Sequence, residues 1–217
     1  MKNRLHDKKA GIGILVALII ISVAEIIFRA TAMGLEAATT ANFGEQVAVI
    51  ALAVTILALN AKGKDRACYI LYGAWIGYFV LDQIFELPGS VIELVNFMSS
   101  GVPSLGGIIR VAISIFIIAL GVLLVEYMSD GTIFNKLFNA LSLIAVLLVL
   151  VSFGLSISAL ASDMSGFAPD MFTAEELKIN VALDAFNNAY RFVMIFMFTF
   201  FAYDSAKAQL KKTNLTK

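Results

Sequence analysis

Three arginines and several carboxylates lie inside runs of apolar sequence. Glu25 and Arg29 interrupt SVAEIIFRATAM; Asp82 and Glu86 lie in LDQIFE, Arg110 in GGIIRVAIS, and Asp184 and Arg191 in LDAFNNAYRF. Such groups can pair with one another, hold a charged ligand or, for paired carboxylates, act as acid and base. Glu25 and Arg29 have the spacing of an in-helix ion pair. Arg110 has no acid three or four residues away. It must find Asp82 or Glu86 on the preceding segment, an acid elsewhere, or an anionic ligand. Asp184 and Arg191 are seven residues apart, too far for a close pair along one straight helix, so Arg191 also needs an outside partner.

Helical phase groups these residues. On one segment Glu176, Asn180, Asp184, Asn187, Asn188 and Arg191 fall on a single face, which continues in apolar residues as Met194, Ile195 and Phe198. Trp75, Tyr78, Asp82 and Glu86 share a face, as do Ser22, Glu25 and Arg29; Gly107, Arg110 and Ser114 form a fourth set, and Ser152 with Ser156 a fifth. A charge facing lipid at mid-bilayer costs at least ~2.5–3.5 kcal/mol. The faces should therefore converge inside a bundle, around a polar pocket walled in part by Trp75 and Tyr78, whose rings can stack or hold a cation.

The elements that position them are membrane helices. The chain has 217 residues, 60% hydrophobic and 15% charged, with mean hydropathy +0.89, far more apolar than a soluble domain. Six apolar segments, at approximately 11–33, 43–61, 67–87, 104–128, 133–162 and 174–206, match or exceed the ~20 residues of a spanning helix. The predicted fold is all-α: one integral membrane domain, a polytopic six-transmembrane-helix bundle. The first segment follows a basic stretch, as a signal peptide does, but its apolar run is long for one and it reads as a span. Ser90-Val-Ile-Glu93 and Thr173-Ala-Glu-Glu176 have the form of capping boxes. The first, after Pro88-Gly89, predicts a short external amphipathic helix at 90–99 with Val91, Leu94, Val95 and Met98 on one face.

Basic and acidic loops alternate. Lys2, Arg4, Lys8 and Lys9, then Lys62, Lys64 and Arg66, then Lys207, Lys211, Lys212 and Lys217 mark one side; Glu36, Glu93, Asp163, Asp170, Glu175 and Glu176 mark the other. The positive-inside rule predicts a multi-pass plasma-membrane protein with both termini cytoplasmic. At ~1.5 Å per residue the intramembrane charges then lie within roughly 17 Å of the outer boundary. Glu45 and Glu86 tip that rim negative, which suits a zwitterion, a cation or proton coupling over an anion.

Other features exclude chemistry. The single cysteine, Cys68, permits no internal disulfide or Cys-pair metal site. The single histidine, His6, lies in the N-terminal tail, so no imidazole serves a haem, a zinc ion or a catalytic triad in the spans. No metal or cofactor is expected. A formal net charge of zero, without basic tracts interleaved with aromatics, leaves no nucleic-acid role, and there is no nucleotide-binding P-loop. Gly73 and Gly77, with Gly44, Ala48, Ala51, Thr55 and Ala58, read as close helix packing.

In length and topology the chain is similar to the small substrate-binding subunits of energy-coupling-factor vitamin transporters. That resemblance implies a compact six-helix protein with an outward-facing pocket capped by external loops. The leading expectation is a protein that binds or transports a small polar or zwitterionic solute, or a lipid headgroup, through Arg110, Arg191, Asp82 and Asp184. Glu25, Arg29, Glu86, Asn187, Asn188, Trp75 and Tyr78 complete the expected ligand-binding set. The expected partners are the lipid bilayer, that small-molecule or lipid ligand, and other membrane subunits. The alternatives are a structural or assembly subunit whose charges form an internal salt-bridge network, and an intramembrane enzyme using carboxylates such as Asp82 and Asp184. A binding role is favoured over an enzymatic one.

Overall fold

The computed structural model describes residues 8–32, 40–99, 105–130, 135–161 and 174–214. They form six helices: α1 (Lys8–Ala32), α2 (Thr40–Ala61), α3 (Asp65–Ser99), α4 (Leu105–Asp130), α5 (Asn135–Ala161) and α6 (Ala174–Asn214). Five, α1 to α5, contain stretches long and apolar enough to cross a membrane. The exception is α6, whose first half carries Asn180, Asp184, Asn187, Asn188 and Arg191. It tolerates them because it is surrounded: α6 packs against α1, α3, α4 and α5. The other main contacts join each helix to its sequence neighbours, giving a ring that α6 both closes and fills.

On α1, Ile12, Val16, Ile20, Val23 and Ile27 are exposed along one face, as lipid contact requires. The opposite face buries Leu15, Leu18, Ser22 and Glu25. The buried face thus changes from apolar to polar along the helix. The apolar end is the core, where Leu15, Leu18, Ile56, Tyr72, Ile113, Ile117, Met194, Ile195 and Phe198 are fully enclosed. There Tyr72 Oη donates to the Gly11 carbonyl at 3.2 Å, and Cys68 Sγ donates to the Ile56 carbonyl at 3.6 Å.

The turn from α2 to α3 is closed by a Schellman motif. Lys64 N–H donates to the Leu59 carbonyl at 2.9 Å and Gly63 N–H to that of Asn60 at 3.0 Å. Gly63 takes the left-handed conformation, φ 68°, which a side chain would strain.

Two expectations are corrected. The 90–99 segment is not a separate external helix. It continues α3, which runs 35 residues through Pro88, so Ser90 lies within a helix and caps none. Proline removes one backbone donor and crowds the carbonyl four residues back, yet the helix continues through it. The small residues of α2 are not a packing face within this chain: Gly44, Ala48, Ala51, Thr55 and Ala58 are all exposed. A Cβ at Gly77 would meet nothing within 4 Å, and one at Gly73 would meet only Phe201 at 3.6 Å. The second expected capping box begins at Thr173, outside the described residues.

The close helix approach is instead at Gly121 of α4, where an added Cβ would lie 2.6 Å from Val80 Cγ2 of α3. Val80 is β-branched and has little rotamer freedom in a helix. Gly121→Ala should therefore destabilise the bundle by about 1–3 kcal/mol, read as thermal unfolding in detergent, and Val80→Ala in the same chain should restore most of the loss.

Candidate functional site

The polar faces of five helices reach the same place. A cavity of about 550 Å³ opens in the bundle end opposite the Gly11–Tyr72 contact. From α1 come Ser22, Glu25 and Arg29; from α2, Glu45 and Gln46; from α3, Tyr78, Asp82, Gln83, Glu86 and Ser90; from α4, Arg110; and from α6, Asn180, Asp184, Asn187, Tyr190 and Arg191. The expected residues Arg110, Arg191, Asp82, Asp184, Glu25, Arg29, Glu86, Asn187 and Tyr78 thus line one space.

Two expected residues are not on its wall. Asn188 is buried away from it, with Nδ2 lacking a partner. Trp75 lies below the floor, where its Nε1–H donates to Tyr190 Oη at 3.1 Å. The floor itself is aromatic: Phe79 packs edge-on against Tyr190 and against Phe198, with centroids 5.7 and 6.2 Å apart. Beneath it Met194, Ile195 and Phe198 are fully buried, so the α6 face ends its polar stretch at Arg191, as its sequence implies. Tyr78 is the lining aromatic that stays 59% exposed.

Each lining arginine has a carboxylate. Arg29 Nη2 meets Glu25 Oε1 at 2.6 Å within α1, and Gln46 Nε2 donates to the same oxygen at 2.9 Å. Arg110 turns to α6: its Nη2 is 3.1 Å from Asp184 Oδ1, and its Nη1 is 3.7 Å from Glu93. Neither Asp82 nor Glu86 holds it. Ser156 of α5 donates to the other Asp184 oxygen at 3.1 Å, so α5 contributes to the network without lining the cavity. Arg191 Nη2 meets Glu86 Oε2 of α3 at 3.1 Å. Gln83 Nε2 donates to that same oxygen at 3.2 Å, while its Oε1 accepts from the buried Ser114 hydroxyl at 3.0 Å.

Two carboxylates have no guanidinium among the described residues. Glu45 has neither a hydrogen bond nor an ion pair there, and Asp82 receives only a 3.4 Å contact from the Gln83 amide. The carboxylates considered for catalysis are therefore unlike: Asp184 is held by Arg110 and Ser156, and Asp82 is not. Two buried polar atoms on the wall also lack partners, Arg191 Nε and Gln46 Oε1. No cluster of three or more metal-ligating side chains occurs among the described residues.

The expected set omits Glu45, Gln46, Gln83 and Tyr190. Tyr190 follows Asn187 by three residues and was legible by phase. Glu45 and Gln46 lie near the start of α2, where an interfacial position explains a polar residue equally well. Gln83 follows Asp82 by one residue and precedes Glu86 by three, so phase alone leaves its side open, and the bond from Ser114 of α4 shows that it turns inward. Comparison with protein-family models, with characterised proteins and with solved structures finds no match.

The ion pairs differ in depth. The Arg191 side chain is 3% exposed, whereas Arg110 and Glu93 are 41% and 57% exposed. Glu86→Ala strands a buried guanidinium. It should cost about 2–3 kcal/mol, less than the ~3–5 of a pair buried on both sides because Glu86 is half exposed. Glu93→Ala removes a solvated contact and should cost under about 1 kcal/mol. Denaturation of both variants in one detergent checks the order.

Proposed function

We propose that the chain is a six-span plasma-membrane protein, both termini cytoplasmic, that binds a small polar solute in the cavity from the outer side for transport. The charge asymmetry of its loops supports this orientation. It puts the cavity in the outer half of the bilayer and the aromatic floor and apolar core between the cavity and the cytoplasm. A volume of about 550 Å³ is in the range of small-ligand sites, which run from ~300 to ~1,000 Å³. The observation that carries the reading is a cavity whose lining keeps polar groups without full partners, Glu45 and Asp82 without an arginine and Arg191 Nε and Gln46 Oε1 without a hydrogen bond. A buried polar atom without a partner costs about 1–3 kcal/mol, and a polar ligand in this cavity would supply the missing bonds.

A second reading is favoured by different contacts. Arg110–Asp184 ties α4 to α6, and Arg191–Glu86 ties α3 to α6. A structural or assembly subunit, locked by these bridges and lodged among other membrane subunits, would need no ligand. An intramembrane carboxylate enzyme gains nothing from the geometry, because Asp184 is already engaged by Arg110 and Ser156.

Native mass spectrometry of the purified protein separates the readings. A ligand site should retain a small polar molecule, and Asn187→Leu, which removes a polar wall residue outside every ion pair, should reduce its occupancy several-fold with little change in stability. The structural reading predicts no small molecule. It also predicts that Arg110→Asp with Asp184→Arg recovers stability lost in either single variant, with no effect on any occupancy.

A further inference from the structure

We propose that the cavity selects an organic cation bearing a primary ammonium group, bound between Glu45 of α2, Asp82 of α3 and the Gln46 side-chain carbonyl. This rests on the reading of the cavity as a ligand site and names the chemistry of its occupant. Five carboxylates and three guanidinium groups line the cavity, an excess of two acids. The excess is localised, because Glu25, Asp184 and Glu86 each bond an arginine. Glu45 and Asp82 remain, on adjacent helices lining one cavity, where like charges in a low dielectric repel. Removing that repulsion calls for a cation between them.

Gln46 supplies an independent indication. Its amide nitrogen must be the atom facing Glu25, since an ionised carboxylate only accepts hydrogen bonds. That leaves Oε1 as a buried acceptor without a partner, in a residue 7% exposed on the cavity wall. On a wall that also carries two carboxylates without an arginine, the group that satisfies it is a donor. A primary ammonium has three N–H donors, one for each of Glu45, Asp82 and Gln46. A quaternary ammonium carries the charge but donates nothing. The exposed Tyr78 ring, one helical turn before Asp82, can cover the alkyl part or the charge itself. A carboxylate on the ligand would have to share a guanidinium that already holds an acid, although Arg191 Nε remains open to an acceptor.

The test is thermal unfolding of the full chain in detergent with 1,4-diaminobutane, tetramethylammonium, glycine betaine, potassium sulfate or phosphatidylethanolamine, at ionic strength matched with sodium chloride. At a tenfold excess over its Kd, 1,4-diaminobutane should raise Tm by about 3–5 °C. Glu45→Gln and Asp82→Asn should each weaken that response at least tenfold. Neither should lower the unliganded Tm, since neither residue has a cation within ion-pair distance among the described residues, so lost binding cannot be mistaken for lost folding. A response to phosphatidylethanolamine alone, abolished by Glu45→Gln, supports the same ammonium chemistry with a lipid as its source. Equal stabilisation by tetramethylammonium, or a diaminobutane response unchanged in both variants, overturns the proposal. Stabilisation by betaine or sulfate alone overturns it while leaving the cavity a ligand site. Silence from all five compounds overturns it together with the ligand-site reading.

Discussion

A charged side chain at membrane depth cannot face hydrocarbon cheaply, and the arrangement of this bundle follows from that constraint. Each helix has a lipid face and an interior face, and the polar groups must occupy the second. On α1 the exposed residues stay apolar from Ile12 to Ile27 while the buried ones change from Leu15 and Leu18 to Ser22 and Glu25. On α6, which touches four other helices, the interior face carries polarity down to Arg191 and then only apolar side chains. The boundary between the two is the aromatic floor of Phe79 and Tyr190, with Phe198 packed beneath it.

Low dielectric also decides the internal economy of the cavity. A guanidinium held at this depth requires a carboxylate close by, and each lining arginine has one within 3.1 Å. These pairs connect α6 to α3 and α4, so the groups that make the wall polar also hold the helices around it. What distinguishes a cavity from a lock is the remainder: Glu45, Asp82, Gln46 Oε1 and Arg191 Nε, groups that the bundle brings together and leaves without full partners.

Much of this was legible in the sequence because helical phase is strict. The spacing of Ser22, Glu25 and Arg29, and of Tyr78, Asp82 and Glu86, needs only 3.6 residues per turn to assign one face. Which arginine meets which acid was not legible. Arg110 chooses Asp184 over the neighbouring helix's Asp82 because α6 occupies the middle of the ring, a fact of packing and not of spacing. Pro88 and Ser90 carry the local signature of a break, yet α3 continues through them. The small residues of α2 match a packing motif but face outward, while the close approach is at Gly121, which no motif marks.

The central claim is that the charged faces enclose a space reachable from the outer side and sealed toward the cytoplasm. The most direct measurement is side-specific labelling of an introduced thiol, since the native Cys68 is buried. Asn187→Cys on the wall and Phe198→Cys below the floor would each be treated, in intact cells, with a membrane-impermeant maleimide. The account predicts that the thiol at 187 reacts from outside and the one at 198 does not. Reaction at 187 only from the cytoplasmic side, or outside reaction at both positions, would contradict it.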